Sequence, residues 1–141
     1  MFESVLELIR KYDRIIIHRH TSPDGDALGS QLGLKHILLE NFPGKQVLVV
    51  GDAPKFYGFM DDSQMDDVPD EAFAEALSII LDTSSTHLIS DERYTLAKET
   101  ARIDHHIFCG QIADTEVTDT SFESCCGMIA ELAMEQGLRL N

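Results

Sequence analysis

Two rhythms of hydrophobic and polar positions alternate along the chain. Short apolar, β-branched runs are followed by longer stretches with helical spacing. Residues 1–13, MFESVLELIRKYD, read as a short amphipathic helix with scattered charges. The run from Arg14 to His20, RIIIHRH, predicts a buried central strand. It opens into the turn-rich stretch TSPDGD. A helix is predicted next over residues 26–42, with Leu28, Leu32, Leu38 and Phe42 at roughly helical spacing and Pro43-Gly44 as its stop. Residues 46–51, QVLVVG, predict a second buried strand.

Residues 52–70 are irregular, and their acidic tract (Asp61, Asp62, Asp66, Asp67, Asp70) predicts a solvated loop. EAFAEAL predicts a short helix, and LSIILDTS a third strand ending in Asp82. Residues 90–99, SDERYTLAKE, predict a helix with Ser90 as its N-cap. TARIDHH predicts a fourth strand, ADTEVTD a fifth, and SCCGMIAELAMEQG a closing helix whose Met128, Leu132 and Met134 pack the core. The expected fold is α/β: a doubly wound, mainly parallel five-stranded sheet with helices on both faces.

In such sheets ligands bind beyond the carboxyl ends of the strands. Three polar clusters fall there: HTSPDGD after the first strand, DTSST after the third, and DHH after the fourth. His20, Asp24 and Asp26 form a metal-ligand set; imidazole with carboxylate suits manganese, zinc or iron, and carboxylate alone leans to magnesium. Pro23 is expected to hold Ser22 extended, and Gly25 lets the backbone bend between the aspartates. The bland alternative is an aspartate N-cap beside an incidental histidine. Asp82 at a strand mouth is costly unless paired, capping a turn, or bound between two cations. His105 and His106 point in different directions, so one can ligate metal while the other faces substrate, with Asp104 orienting an imidazole from behind. Gly29 and Ser30 are candidate phosphate contacts at a helix start, although Gly29 also suits close packing.

Length and composition narrow the partners. The 141 residues fit one domain, and 43% hydrophobic content supports ordinary globular folding. No apolar run is long enough to span a bilayer, and the N-terminus lacks a signal-peptide pattern, so no membrane partner is expected. Three cysteines, two of them adjacent, argue against a disulfide framework and for a reducing cytoplasm. They also open a thiol role for Cys109, Cys125 and Cys126, with small-residue packing the preferred reading. The net charge of −14 excludes duplex DNA as a natural partner. A small anionic substrate remains compatible if bound divalent cations offset the local field.

The ordered motifs H-T-S-P-D-G-D-A-L-G-S, L-D-T and I-D-H-H resemble the first three motifs of the DHH phosphoesterases. The surrounding I-I-I-H-R-H and I-S-D-E-R-Y resemble the branch of oligoribonucleases that also dephosphorylate 3′-phosphoadenosine 5′-phosphate. The resemblance implies two divalent ions, manganese before magnesium, held by His20, Asp24, Asp26 and His105 and bridged by Asp82. It also implies His106 at the scissile phosphate with Asp104 behind it, and a substrate of short RNA or a nucleotide. The family's fourth motif and second domain are expected beyond residue 141, so residues 1–141 read as a catalytic domain cut before them. T-D-T-S at 118–121 comes too early to be that motif, and Asp119 is expected to be a turn residue. Alternatives are a cyclic-dinucleotide phosphodiesterase, a pyrophosphatase, or an inactive nucleotide-binding fragment. Apolar surface on the last helix also leaves a homodimer open.

Overall fold

The structure, a computed structural model, describes residues 1–53 and 64–140. Among these, five strands form one parallel sheet in the order β2-β1-β3-β4-β5. They are β1 (Arg14–His18), β2 (Gln46–Val49), β3 (Leu77–Leu81), β4 (Glu99–Asp104) and β5 (Thr115–Thr118). The chain leaves β1 for β2 on one side, then crosses back to β3 on the other. The carboxyl ends of β1 and β3 therefore diverge into the crevice where open α/β sheets bind ligands.

The faces divide by strand register. Ile15 and Ile17 of β1 lie level with Val47 and Val49 on one side and Leu77 and Ile79 on the other. These side chains join the main core under α1 (Glu3–Lys11), α2 (Gly25–Asn41) and α3 (Cys125–Glu135). In α1 the helical period puts Val5, Leu6, Leu8 and Ile9 inward. Burying each such side chain is worth about 1.5–3 kcal/mol. The opposite face carries a smaller cluster of Ile16, Val50, Val68, Phe73 and Ala76, covered by the 3-10 helix of residues 70–75. His18 lies on this face, wholly buried, with Nε2 2.8 Å from Ser78 Oγ. Burial pulls its imidazole down to about 4, so it is neutral at physiological pH.

Several local expectations need correction. The QVLVVG strand is an edge strand with alternating exposure, not a buried one. Asp66 closes part of that edge: its N–H donates to the Val49 carbonyl at 2.9 Å, and its carboxylate accepts from the Val49 N–H at 2.8 Å. Asp70 pairs with Arg93 at 3.0 Å, so these two acids are not simply solvated; Asp61 and Asp62 lie outside the described residues. The helix expected over 90–99 is only a 3-10 turn, Glu92–Leu96, capped by Asp91 instead of Ser90. Glu99 already belongs to β4, and the Ser90 hydroxyl donates to Asp52. Met134 lies outward at 63% exposure, whereas Met128 and Leu132 are buried.

A buried cation braces the ends of β1 and β2. Arg19 is fully buried, donating to the Asp52 carboxylate at 2.7 Å, the Asp52 carbonyl at 2.5 Å and Gln31 Oε1 at 3.3 Å. Asp52 also accepts from Ser22 N at 3.0 Å and from the Ser90 hydroxyl at 2.5 Å. Burial alone would raise the Asp52 carboxyl, but these donors hold it below its ordinary value. Ser22 is consequently left-handed, with φ +50°, not extended as Pro23 alone would predict. Gly51 makes the approach feasible: its φ is +139°, and a Cβ there would lie 2.6 Å from the Arg19 guanidinium. Gly51→Ala should therefore destabilise the fold by at least ~2 kcal/mol, read as a lower urea midpoint at unchanged slope.

Candidate metal centre

The first motif turn follows β1 and delivers His20, Asp24 and Asp26. Asp24 is the N-cap of α2, accepting from Ala27 N at 2.9 Å, which places Asp26 in the first turn. The Thr21 carbonyl accepts from His20 Nδ1 at 2.7 Å. That bond leaves His20 Nε2 aimed at carboxylates: Asp82 Oδ2 at 3.4 Å and Asp24 Oδ1 at 3.7 Å.

Asp82 follows β3 in a left-handed conformation, φ +54°, and is 3% exposed. A non-glycine residue held there is strained, and such strain is typical of functional sites. Its carboxylate does not cap a turn; it faces imidazoles. Oδ1 lies 3.1 Å from His105 Nε2 and 3.9 Å from His106 Nδ1, while Oδ2 serves His20. Asp104 ends β4, is buried, and accepts from His106 Nδ1 at 2.7 Å. That contact orients the His106 ring and leaves its Nε2 free. Among the described residues the second Asp104 oxygen has no hydrogen-bond partner, with Arg102 Nη1 3.7 Å away.

Among the described residues, two sets of donor atoms are each compact enough to hold a cation: His20, Asp24 and Asp82; and Asp82, Asp104, His105 and His106. Asp82 belongs to both. Asp26 stands beside the second set, its Oδ2 3.5 Å from His105 Nε2. Its oxygens also accept from Cys125 N and Cys126 N at 2.9 Å each, so the N-terminus of α3 docks on it. Burial alone would raise the Asp26 carboxyl, but these amides, the Cys126 thiol and His105 hold it below its usual value.

All five ligand candidates line one open cleft of about 430 Å³, together with His106, Ser84, Leu88, Glu123 and Ser124. Asp104 lies beneath it, behind His106. Glu123 and Ser124 escaped the sequence reading; the available signal was Ser124 as N-cap of α3, accepting from Gly127 N at 3.0 Å. Gly29 and Ser30 are placed differently from the phosphate contacts expected of them. Helical period stacks them one turn beyond Asp26, under α3, instead of at the cleft. A Cβ at Gly29 would lie 3.0 Å from Cys126 Sγ, and the buried Ser30 hydroxyl donates to the Ala27 carbonyl at 3.2 Å. Cys125 and Cys126 are not activated thiols either. Burial pushes Cys125 well up and Cys126 up to about 12. Asp119 is a turn residue, accepting from Ser121 N at 2.9 Å.

The family model for the DHH family, N-terminal domain, matches residues 14–141. The chain belongs to the DHH family. Among curated relatives of this DHH domain is the probable bifunctional oligoribonuclease and PAP phosphatase NrnA of Streptococcus mutans, 40% identical over 140 residues. Another is the bifunctional oligoribonuclease and PAP phosphatase NrnA of Bacillus subtilis, 38% identical over 144 residues. These alignments cover 99% and 100% of this chain but only 44% and 45% of the relatives, so the chain spans less than half their length. A crystal structure of an exopolyphosphatase-related protein from Bacteroides fragilis superposes with a TM-score of 0.84 at 27% identity, covering 96% of this chain and 43% of that one. Among the described residues no helix is long and apolar enough to cross a membrane.

Without a cation, the DHH site should respond to pH through His20. Hydrogen bonding to Asp82 pushes this imidazole up to about 9, against the opposing effect of burial. Because that value lies above the ordinary 6.5, the stabilisation is complete below pH 6.5 and lost as pH rises through about 9. The melting midpoint of chelator-treated protein should fall across that window, and His20→Gln should flatten the fall.

Proposed function

We propose that this DHH domain is a metal-dependent phosphoesterase acting on short oligoribonucleotides, on 3′-phosphoadenosine 5′-phosphate, or on both. One observation carries the reading: the Asp82 carboxylate is shared by two donor sets, its two oxygens facing different imidazoles. The site also fits cations electrostatically, since Asp24, Asp26 and Asp82 line the cleft and Asp104 adjoins it in a chain of net charge −14. In this reading His20, Asp24 and Asp82 hold one divalent ion, and Asp82, Asp26 and His105 hold a second. Mixed imidazole and carboxylate donors favour manganese, with magnesium next. When bound, such ions lower the pKa of a water and neutralise charge on phosphoryl oxygens.

The chain's own residues supply the remainder. Asp104 accepts from His106 Nδ1–H and so orients the ring; in its imidazolium form, with both nitrogens protonated, His106 would give its Nε2 proton to the leaving oxygen. Asp82, fixed by its strained backbone, keeps the two donor sets in register. Arg19 and Asp52 hold the first motif turn, and α3 holds Asp26. The relatives' names support the RNA and nucleotide substrates; the likeness to an exopolyphosphatase-related protein of Bacteroides favours a phosphoanhydride substrate as the second reading. Three free thiols suit a reducing, cytoplasmic setting.

The test combines binding with turnover. Manganese at about a hundred times its dissociation constant should stabilise the native protein by about 2.7 kcal/mol, reversibly on chelation. Asp82→Asn should abolish that shift and lower hydrolysis of a diribonucleotide and of 3′-phosphoadenosine 5′-phosphate by roughly 10³-fold or more. A native protein unmoved by manganese and magnesium would sink the reading.

A further inference from the structure

Beyond the cleft, the loop after His106 carries two apolar side chains that the metal centre does not use. Ile107 is 77% exposed and Phe108 is 54% exposed. Among the described residues, Phe108 is the sole aromatic among the exposed large hydrophobic side chains. It follows His106 by two residues, so the two Cα atoms are at most about 7 Å apart.

Phe108 is not a loose loop residue. The Arg102 guanidinium lies 5.7 Å from its ring centroid. Arg102 is fully buried and each of its three nitrogens donates: both Glu116 oxygens accept from it, as do the Thr83 carbonyl at 3.0 Å and the Gly110 carbonyl at 3.1 Å. The same guanidinium lies 3.7 Å from Asp104, the carboxylate that orients His106. One fixed cation thus lies beside the carboxylate that holds a cleft imidazole and backs a half-exposed aromatic ring.

We propose that Phe108, flanked by Ile107, is a stacking platform for a nucleobase of the substrate, and so a specificity-determining residue of this site. The proposal rests on the phosphoesterase reading and deepens it. An aromatic face beside a metal-phosphate site has nothing to offer an all-phosphate substrate. Every base, in contrast, has a π face, and aromatic rings backed by arginine are general platforms for single-stranded nucleic acid. The ring is sequence-tolerant, so a purine or a pyrimidine would serve.

The probes are adenosine 5′-monophosphate and ribose 5-phosphate, which share the phosphate and sugar but differ in the base. Their equilibrium affinities are measured with manganese for the native protein, Phe108→Ala and Phe108→Trp. The native protein should prefer the base-bearing ligand about 10-fold, Phe108→Ala should erase the preference, and Phe108→Trp should retain it. With a diribonucleotide, Phe108→Ala should raise KM about 10-fold and leave kcat unchanged. Equal native affinities, or a preference surviving in Phe108→Ala, overturn the proposal. So does a change of oligomeric state in Phe108→Ala without a change in nucleotide affinity, which would assign the patch to self-association. Diribonucleotide hydrolysis by the native protein and its loss in Asp82→Asn report the phosphoesterase reading separately.

Discussion

The Asp82 carboxylate is the hinge of the molecule. It is nearly inaccessible, sits on a left-handed backbone, and is approached by His20, His105 and His106. A buried carboxylate is tolerated only with partners. Its partners come from the ends of two strands on either side of β3, so satisfying one charge requires β1, β3 and β4 to be in register. The candidate metal centre is a consequence of sheet order: strands distant in sequence become neighbours at the one edge where the winding reverses.

Around that carboxylate the protein builds supports of opposite sign. Arg19 braces the first motif turn against Asp52, and Arg102 braces Asp104, Glu116 and the loop after His106. Both guanidiniums are buried, and both donate to backbone carbonyls as well as to carboxylates. Arginine suits this task because its planar fork saturates several acceptors at once and keeps its charge when desolvated. The chain is strongly acidic overall, yet two of its few cations are placed where they fix the geometry of the site.

The site was legible where chemistry follows strand ends. His20, Asp82 and His105 each close an apolar run, and the pattern alone says where such runs stop. The sheet itself was legible for the same reason. The supports were less so. Ser90 looks like a helix cap but binds Asp52, because its segment is too short for a helix and passes beside the end of β2. Ser22 precedes proline yet is left-handed, because a tertiary hydrogen bond outweighs the local preference. Gly29 and Ser30 looked like phosphate contacts because nothing local reveals that α3 lies over them. Met134 belongs to an apolar stripe whose outer edge has no partner among the described residues.

The docking of α3 on Asp26 has a consequence for how the protein is made. The two amides that hold this carboxylate lie 99 and 100 residues downstream of it. At ribosomal rates of about 5–20 residues per second, Asp26 is synthesised roughly 5–20 s before those amides exist. Asp82 and Asp104 are added within that interval, so the acidic edge is complete before the helix that docks on it has been made. Synthesis thus imposes an order in which the carboxylates of the site are made before the amides that hold Asp26.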